Sequence, residues 1–452
     1  MARKKLSLST TQIILLSFLV TIFTGSLLLA LPISAADGKP VPYIDALFTA
    51  TTSTCVTGLV TVPTFSTWST FGHVVILLLI QIGGLGVVTI MSGLMLLLNR
   101  RMGLSDRLLI QDAFNLNTMS GLAKFVKNVL SGTLAVELAG ALLYMTVFVP
   151  EFGLRGIWIS VFNAVSAFCN AGIDIIGSSS LCNYSTNPMV NLVTCALIIL
   201  GGLGYIVWWD VLRVLRTRTR RNRRFFRHLT LHSKIAIAAT FVLVFAGGLL
   251  TLVLEYDNPL TIGKLPLWDK FQVSFFQSVT TRTAGFASVP QENLTNAGAL
   301  VSLILMFIGG SPVGTAGGVK TVTVVALLCS ALATIRNQNQ PSIFHRTIST
   351  DSVRKGVAVV SAFTVIMLAS TVLLAACTDA PALDILFETV SATATVGLSR
   401  NLTPSLNLAG KIIIILTMYF GRVGPISLAV ALGSKSASQN VVSDPPEEIS
   451  IG

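Results

Sequence analysis

Four short stretches recur along this chain: 54–59 (TCVTGL), 168–173 (FCNAGI), 281–286 (TRTAGF) and 393–398 (TATVGL). Each closes on a glycine followed by an apolar residue. Gly58, Gly172, Gly285 and Gly397 lie 114, 113 and 112 residues apart. A phenylalanine stands ten residues before each of them: Phe48, Phe162, Phe275 and Phe387. One such match in an apolar chain means nothing. Four in register at a nearly constant period predict a fold built by internal repetition.

The medium follows from composition. Of 452 residues, 52% are hydrophobic and only 11% charged, with a mean hydropathy of +0.78. Soluble domains carry about 25% charged residues, so the chain reads as an integral membrane protein. Its net charge of +12 could suggest nucleic acid, but most basic residues sit between apolar segments, where topology explains them. No nucleic-acid partner is expected. The six cysteines show no metal-binding spacing, and no catalytic set is visible, so an enzyme is not expected.

Each repeat reads as an apolar helix, a short half-buried segment, the glycine stretch and a second apolar helix. These fall at about 12–31, 43–54 and 70–98; 125–149, 158–168 and 188–215; 233–254, 268–281 and 297–335; 356–377, 383–393 and 408–432. The short segments cannot span and read as re-entrant, which is tolerated only around protein or a watery cavity. The expected fold is all-α: eight transmembrane spans and four re-entrant pore segments around a central pore. Repeat boundaries are placed at 1–104, 105–228, 229–350 and 351–434, with a tail at 435–452. Arg3, Lys4 and Lys5 precede the first run, and Ile33-Ser34-Ala35-Ala36 faintly resembles a cleavage site. The run's length of about 20 residues favours a retained span.

Orientation comes from the connectors. Arg100, Arg101 and Arg107, then the band from Arg213 to Arg227 with Lys234, then Arg336, Arg346, Arg354 and Lys355 lie between repeats, whereas the other loops mix signs. The positive-inside bias places both termini in the cytoplasm and the glycine stretches near the outer face of the plasma membrane. The band at 213–227 also suits anionic membrane lipid.

Glycine allows backbone carbonyls to turn toward an axis at dihedral angles a Cβ would forbid. Rings of carbonyls can replace the hydration shell of a cation, as in the fourfold TVGYG filter of potassium channels. The candidate filter is Val56-Thr57-Gly58, Asn170-Ala171-Gly172, Thr283-Ala284-Gly285 and Thr395-Val396-Gly397, the last matching the core of that motif. Four tight turns joining helices are the plainer alternative, and the shared register and period favour a filter. The second helices carry glycine pairs at Gly83-Gly84, Gly201-Gly202 and Gly309-Gly310, and Gly421-Arg422 in the fourth. A cation inside an apolar helix usually faces a cavity or pairs, so Arg422 is expected to face the pore. The third second helix is interrupted by GGSPVGTAGGVKT at 309–321, with Gly309, Gly310, Gly314, Gly317, Gly318 and Lys320; five glycines and Pro312 cannot continue a helix.

On these residues the whole chain resembles the Trk/Ktr/HKT superfamily of cation transporters, and within it the KtrB-type membrane subunit. The resemblance implies potassium at the filter glycines and an intramembrane loop at 309–321 that obstructs the pore below them. It also implies a homodimer seated on a cytosolic nucleotide-binding ring of the KtrA type, with nucleotide acting only through that partner and sodium as a candidate activator. In the family, serine at the first filter glycine accompanies sodium transport, so Gly58 argues for potassium. Two rivals remain: the ion-binding subunit of an ATP-driven potassium pump, and a sodium-selective or sodium-coupled transporter on the same scaffold. Lesser expectations are a partner for Glu137 and Lys320 at membrane depth, and an Arg282–Glu388 pair behind the filter. Gly83-Gly84-Leu85-Gly86 weakly echoes a dinucleotide loop, and close helix packing explains it better.

Overall fold

A computed structural model describes residues 9–98, 103–113, 121–217, 225–338 and 340–424. Arg3, Lys4, Lys5, Arg100, Arg101, the arginines at 218–224 and the tail at 435–452 lie outside them. The described residues are overwhelmingly helical, with one two-residue hairpin, Ser342–Ile343 with Arg346–Thr347.

One order of elements recurs four times. A long outer helix (Thr10–Leu29, Leu122–Phe152, Leu231–Glu255, Thr350–Cys377) precedes a short helix (Tyr43–Cys55, Leu154–Cys169, Leu267–Thr280, Ala382–Thr393). The glycine stretch comes next, and then an inner helix begins at Thr70, Pro188, Asn296 or Leu408. The outer helices are apolar on every side, so hydrophobicity alone cannot orient them. Small residues do: Gly247, Gly248 and Thr251 are buried while Phe241, Phe245, Leu249 and Val253 face outward. In lipid, close backbone approach rather than the hydrophobic effect holds helices together.

The inner helices differ from the expected continuous runs. Thr70–Leu85 stops at Gly86 and Val87–Leu97 leaves it at 95°; Pro188–Leu203 stops at Gly204 and Tyr205–Thr217 again turns by 95°. The fourth, Leu408–Val423, stops at Gly424. Gly86, Gly204 and Gly424 have φ of +85°, +86° and +88°, a left-handed conformation that glycine adopts without steric cost. The third inner helix is broken as expected, into Asn296–Phe307 and Thr321–Ile335. Among the described residues four helices are long and apolar enough to cross a membrane, or six if each bent pair is one span. Eight is not reached among the described residues: the third inner helix is interrupted, and residues 425–432 of the expected fourth run lie outside them.

Candidate functional site: a glycine ring above a broken-helix loop

Each short helix ends in the same backbone device. Val56, Asn170, Thr283 and Thr395, two residues before their glycines, have φ of +55°, +61°, +63° and +51°, and the glycines themselves have +102°, +65°, +84° and +95°. Left-handed non-glycine residues are uncommon, and β-branched ones cost of order 1–3 kcal/mol unless the surroundings over-determine them. Buried hydroxyls supply that restraint. In the first and fourth repeats the Gly58 and Gly397 N–H groups donate to Thr52 Oγ1 (2.9 Å) and Ser391 Oγ (3.0 Å). In the second and third, Ser166 Oγ and Thr280 Oγ1 donate to the carbonyls of Ile173 and Phe286, each at 2.6 Å.

The third repeat is one residue out of register with the sequence alignment. Phe48, Phe162 and Phe387 are fully buried, but in the third repeat Phe276 takes that place, and Phe275 is only partly buried against Phe245. Its restraining hydroxyl correspondingly sits five residues before the glycine instead of six.

The four glycines close a ring. A Cβ on Gly58 would fall 2.5 Å from the Ala171 carbonyl oxygen, one on Gly172 2.5 Å from that of Ala284, one on Gly285 2.5 Å from that of Val396, and one on Gly397 2.1 Å from that of Thr57. Each repeat therefore touches the next, and the fourth returns to the first. No side chain fits at these positions without moving backbone. Above the ring opens a cavity of about 460 Å³, lined by all four glycines and, among the described residues, by two charged side chains, Asp174 and Glu292. Burial pushes the Asp174 carboxyl up to about 6, against hydrogen bonds from Ser180 and the backbone of Ile176 and Gly177.

Below the ring lies the loop 308–320. Its neck is closed by Val319 N–H to Phe307 O (3.1 Å), Gly309 N–H to Val319 O (3.0 Å) and Thr321 N–H to Gly310 O (3.0 Å). Its body is hydrogen-bonded to the second and third repeats. Ser311 and Thr315 N–H groups donate to Gly202 and Gly201 O (2.8 and 3.1 Å), Thr315 Oγ1 to Phe168 O (3.0 Å), and Gly317 N–H to Thr283 Oγ1 (3.1 Å). A Cβ on Gly317 would strike Thr395 Oγ1 at 2.0 Å, so the loop presses against the fourth stretch as well.

Arg422 reaches this loop. Its Nη1 donates to Thr315 O at 2.7 Å, and its Nη2 to Gly83 O at 2.5 Å, bringing together the fourth inner helix, the loop and the first inner helix. Lys320 Nζ donates to Ala316 O at 2.6 Å within the loop. Glu137 accepts from Gln81 Nε2 at 3.1 Å and lies 3.8 Å from Cys169 Sγ, at the end of the second short helix. The expected Arg282–Glu388 pair does not form. Arg282 donates to Thr240 O (3.4 Å) and Gly309 O (3.2 Å), while Glu388 accepts from Ser399 and Thr403 on the outer side, where hydroxyls satisfy it without a cation.

The paired inner-helix glycines have a backbone reason. A Cβ on Gly83, Gly201 or Gly421 would lie 1.9, 2.0 or 2.1 Å from the carbonyl oxygen of Thr54, Phe168 or Thr393, at the end of the neighbouring short helix. Sequence reading missed the helix-ending glycines Gly86, Gly204 and Gly424, although GGLG, GGLG and GRVG repeat the signal in three repeats. It also missed Thr315, whose neighbours in sequence give no hint of its contacts.

A family model for TrkH, a cation transport protein, matches residues 4–443. The chain is 39% identical to Ktr system potassium uptake protein B of Bacillus subtilis, over 95% of this chain and 94% of that one. It is 38% identical to the potassium/sodium uptake protein NtpJ of Enterococcus hirae, over 99% and 98%. Among solved structures, the potassium transporter TrkH of Vibrio parahaemolyticus shares the fold with a TM-score of 0.75 at 16% identity, covering 95% of this chain and 86% of that one. These relatives are transporters and not enzymes, and with its apolar helices the chain is a multi-pass membrane protein of the TrkH family, on the KtrB-type side of the Trk/Ktr superfamily.

Proposed function

We propose that this chain takes up potassium across the plasma membrane through a channel-like pore, with the glycine ring as selectivity filter and the loop with Arg422 as gate. The observation that carries the reading is the cyclic contact of Gly58, Gly172, Gly285 and Gly397 with the carbonyls of Ala171, Ala284, Val396 and Thr57. Carbonyls of successive repeats then face one axis and can replace water around a bare cation. The acidic cavity above concentrates cations. The loop and Arg422 occupy the same cross-section, with Thr315 O offsetting the guanidinium charge in the closed state. In this reading the chain forms eight spans, the broken inner helices counting as spans, in four repeats at 1–104, 105–228, 229–350 and 351–434. Both termini lie in the cytoplasm. The membrane subunit pairs as a homodimer on a nucleotide-binding ring of the KtrA type, contacted by the basic band and the tail at 435–452.

Sodium is the second reading, favoured by the 38% identity to a protein named for potassium/sodium uptake. Glycine at all four ring positions supports potassium. Tracer uptake of both ions into proteoliposomes separates the two. Potassium should enter preferentially, and Gly58→Ser should erode the preference, because the serine Cβ meets the Ala171 carbonyl. Equal uptake of sodium and potassium by the unaltered chain would replace this reading with the sodium one.

A further inference from the structure

Among the described residues Arg282, in the third glycine stretch, has no carboxylate partner, and its place in transport is not explained by facing the ring. It is 5% exposed, and its guanidinium reaches the carbonyl of Gly309, the first residue of the loop's neck. The adjacent residue, Thr283, accepts from Gly317 N–H on the far limb of the same loop. Two consecutive filter-stretch residues thus hold both limbs of the loop. The second stretch hydrogen-bonds the loop through Phe168, before its filter residues, and the fourth packs Ala394 and Thr395 against Gly317.

Resting on the gate reading above, we infer that Arg282 and Thr283 couple the third filter segment to the loop, so that ion occupancy at Gly285 sets how firmly the loop is held. Thr283 has φ +63° and Gly285 φ +84°, so a cation drawing the Thr283 and Ala284 carbonyls inward turns peptides that also carry the loop's anchors. A void of about 10 Å³, at the lower limit for one water, lies beside the guanidinium between Thr240, Val279 and Gly310. A stabilised loop with potassium and a loosened one without it would make the gate sensitive to the filter's contents. Arg282 is a positioning residue here, acting through Gly309.

Hydrogen–deuterium exchange of the full-length protein reads this directly, with potassium chloride compared against N-methylglucamine chloride. Potassium should slow exchange of peptides covering 308–320 about tenfold, the effect of one hydrogen bond from a charged group. Arg282→Gln should abolish that response in the loop while peptides covering 283–290 remain protected by potassium. If Arg282→Gln does not fold, Thr283→Val removes the second tie and must blunt the response. A loop whose exchange ignores potassium in the unaltered protein, or keeps its full response in either variant, overturns the inference. The gate reading fails separately, if deleting 314–318 leaves potassium flux unchanged.

Discussion

Replacing Arg422 separates two effects that the structure superimposes. Its guanidinium anchors the loop at Thr315 O (2.7 Å) and braces the first inner helix at Gly83 O (2.5 Å). A hydrogen bond from a charged donor contributes about 1.5–3 kcal/mol net. Losing the Thr315 anchor therefore shifts the loop toward its released state by roughly ten- to hundredfold. The fixed charge adds a second barrier. Two unit charges 4 Å apart repel by about 4 kcal/mol at an effective dielectric near 20, which slows passage roughly a thousandfold. That is an upper bound, because the Thr315 and Gly83 carbonyls offset part of the charge. Arg422→Lys keeps the charge but loses the fork, so it should show the anchor effect alone. Arg422→Ala should show both. Tracer potassium uptake by the isolated subunit in proteoliposomes should rank alanine above lysine above the unaltered chain, with the potassium-to-sodium ratio preserved. Equal flux in all three, or lost discrimination with flux unchanged, would place the gate elsewhere.

Other perturbations have separable outcomes. Deleting 314–318 should raise flux without the cytosolic partner, and selectivity should hold, since the ring's own restraints at Thr52, Ser166, Thr280 and Ser391 remain. Asp174, raised by burial to about 6, is ionised above that pH and neutral below it. Uptake at low potassium should fall as external pH drops through about 6, and Asp174→Asn should flatten the profile; an unchanged inflection would exclude this carboxylate. Lys411 Nζ binds Asp45 Oδ1 at 2.6 Å, tying the fourth inner helix to the first short helix. Breaking a largely buried pair costs about 3 kcal/mol, so Lys411→Met should lower the apparent melting temperature by several degrees and spare ion selectivity. An altered ion ratio would show that this pair shapes the filter itself.

The chain's organisation was legible because repetition and glycine leave marks in one dimension. The recurrence of the four ring glycines and the broken third inner helix could both be read from period and composition. Less visible was anything set by backbone dihedrals or by contact across repeats. Val56 and Thr395 are left-handed despite β-branching, which propensity argues against. The bends at Gly86 and Gly204 hide within apolar runs that hydropathy reads as continuous. The third repeat's shift from Phe275 to Phe276 is invisible because two adjacent phenylalanines satisfy either register. Arg282 and Glu388 invited pairing by charge, but Gly309 O and the hydroxyls of Ser399 and Thr403 satisfy them separately. Local satisfaction by backbone and hydroxyl groups prevailed over a long-range ion pair.

The filter assignment is tested most directly by locating the ion. Anomalous diffraction from the protein with rubidium or thallium, both substitutes for potassium, should place a peak on the axis enclosed by the carbonyls of Thr57, Ala171, Ala284 and Val396. The peak should fade when sodium replaces the heavier ion. A ring empty under saturating rubidium or thallium, with ions bound only elsewhere in the protein, would contradict the account.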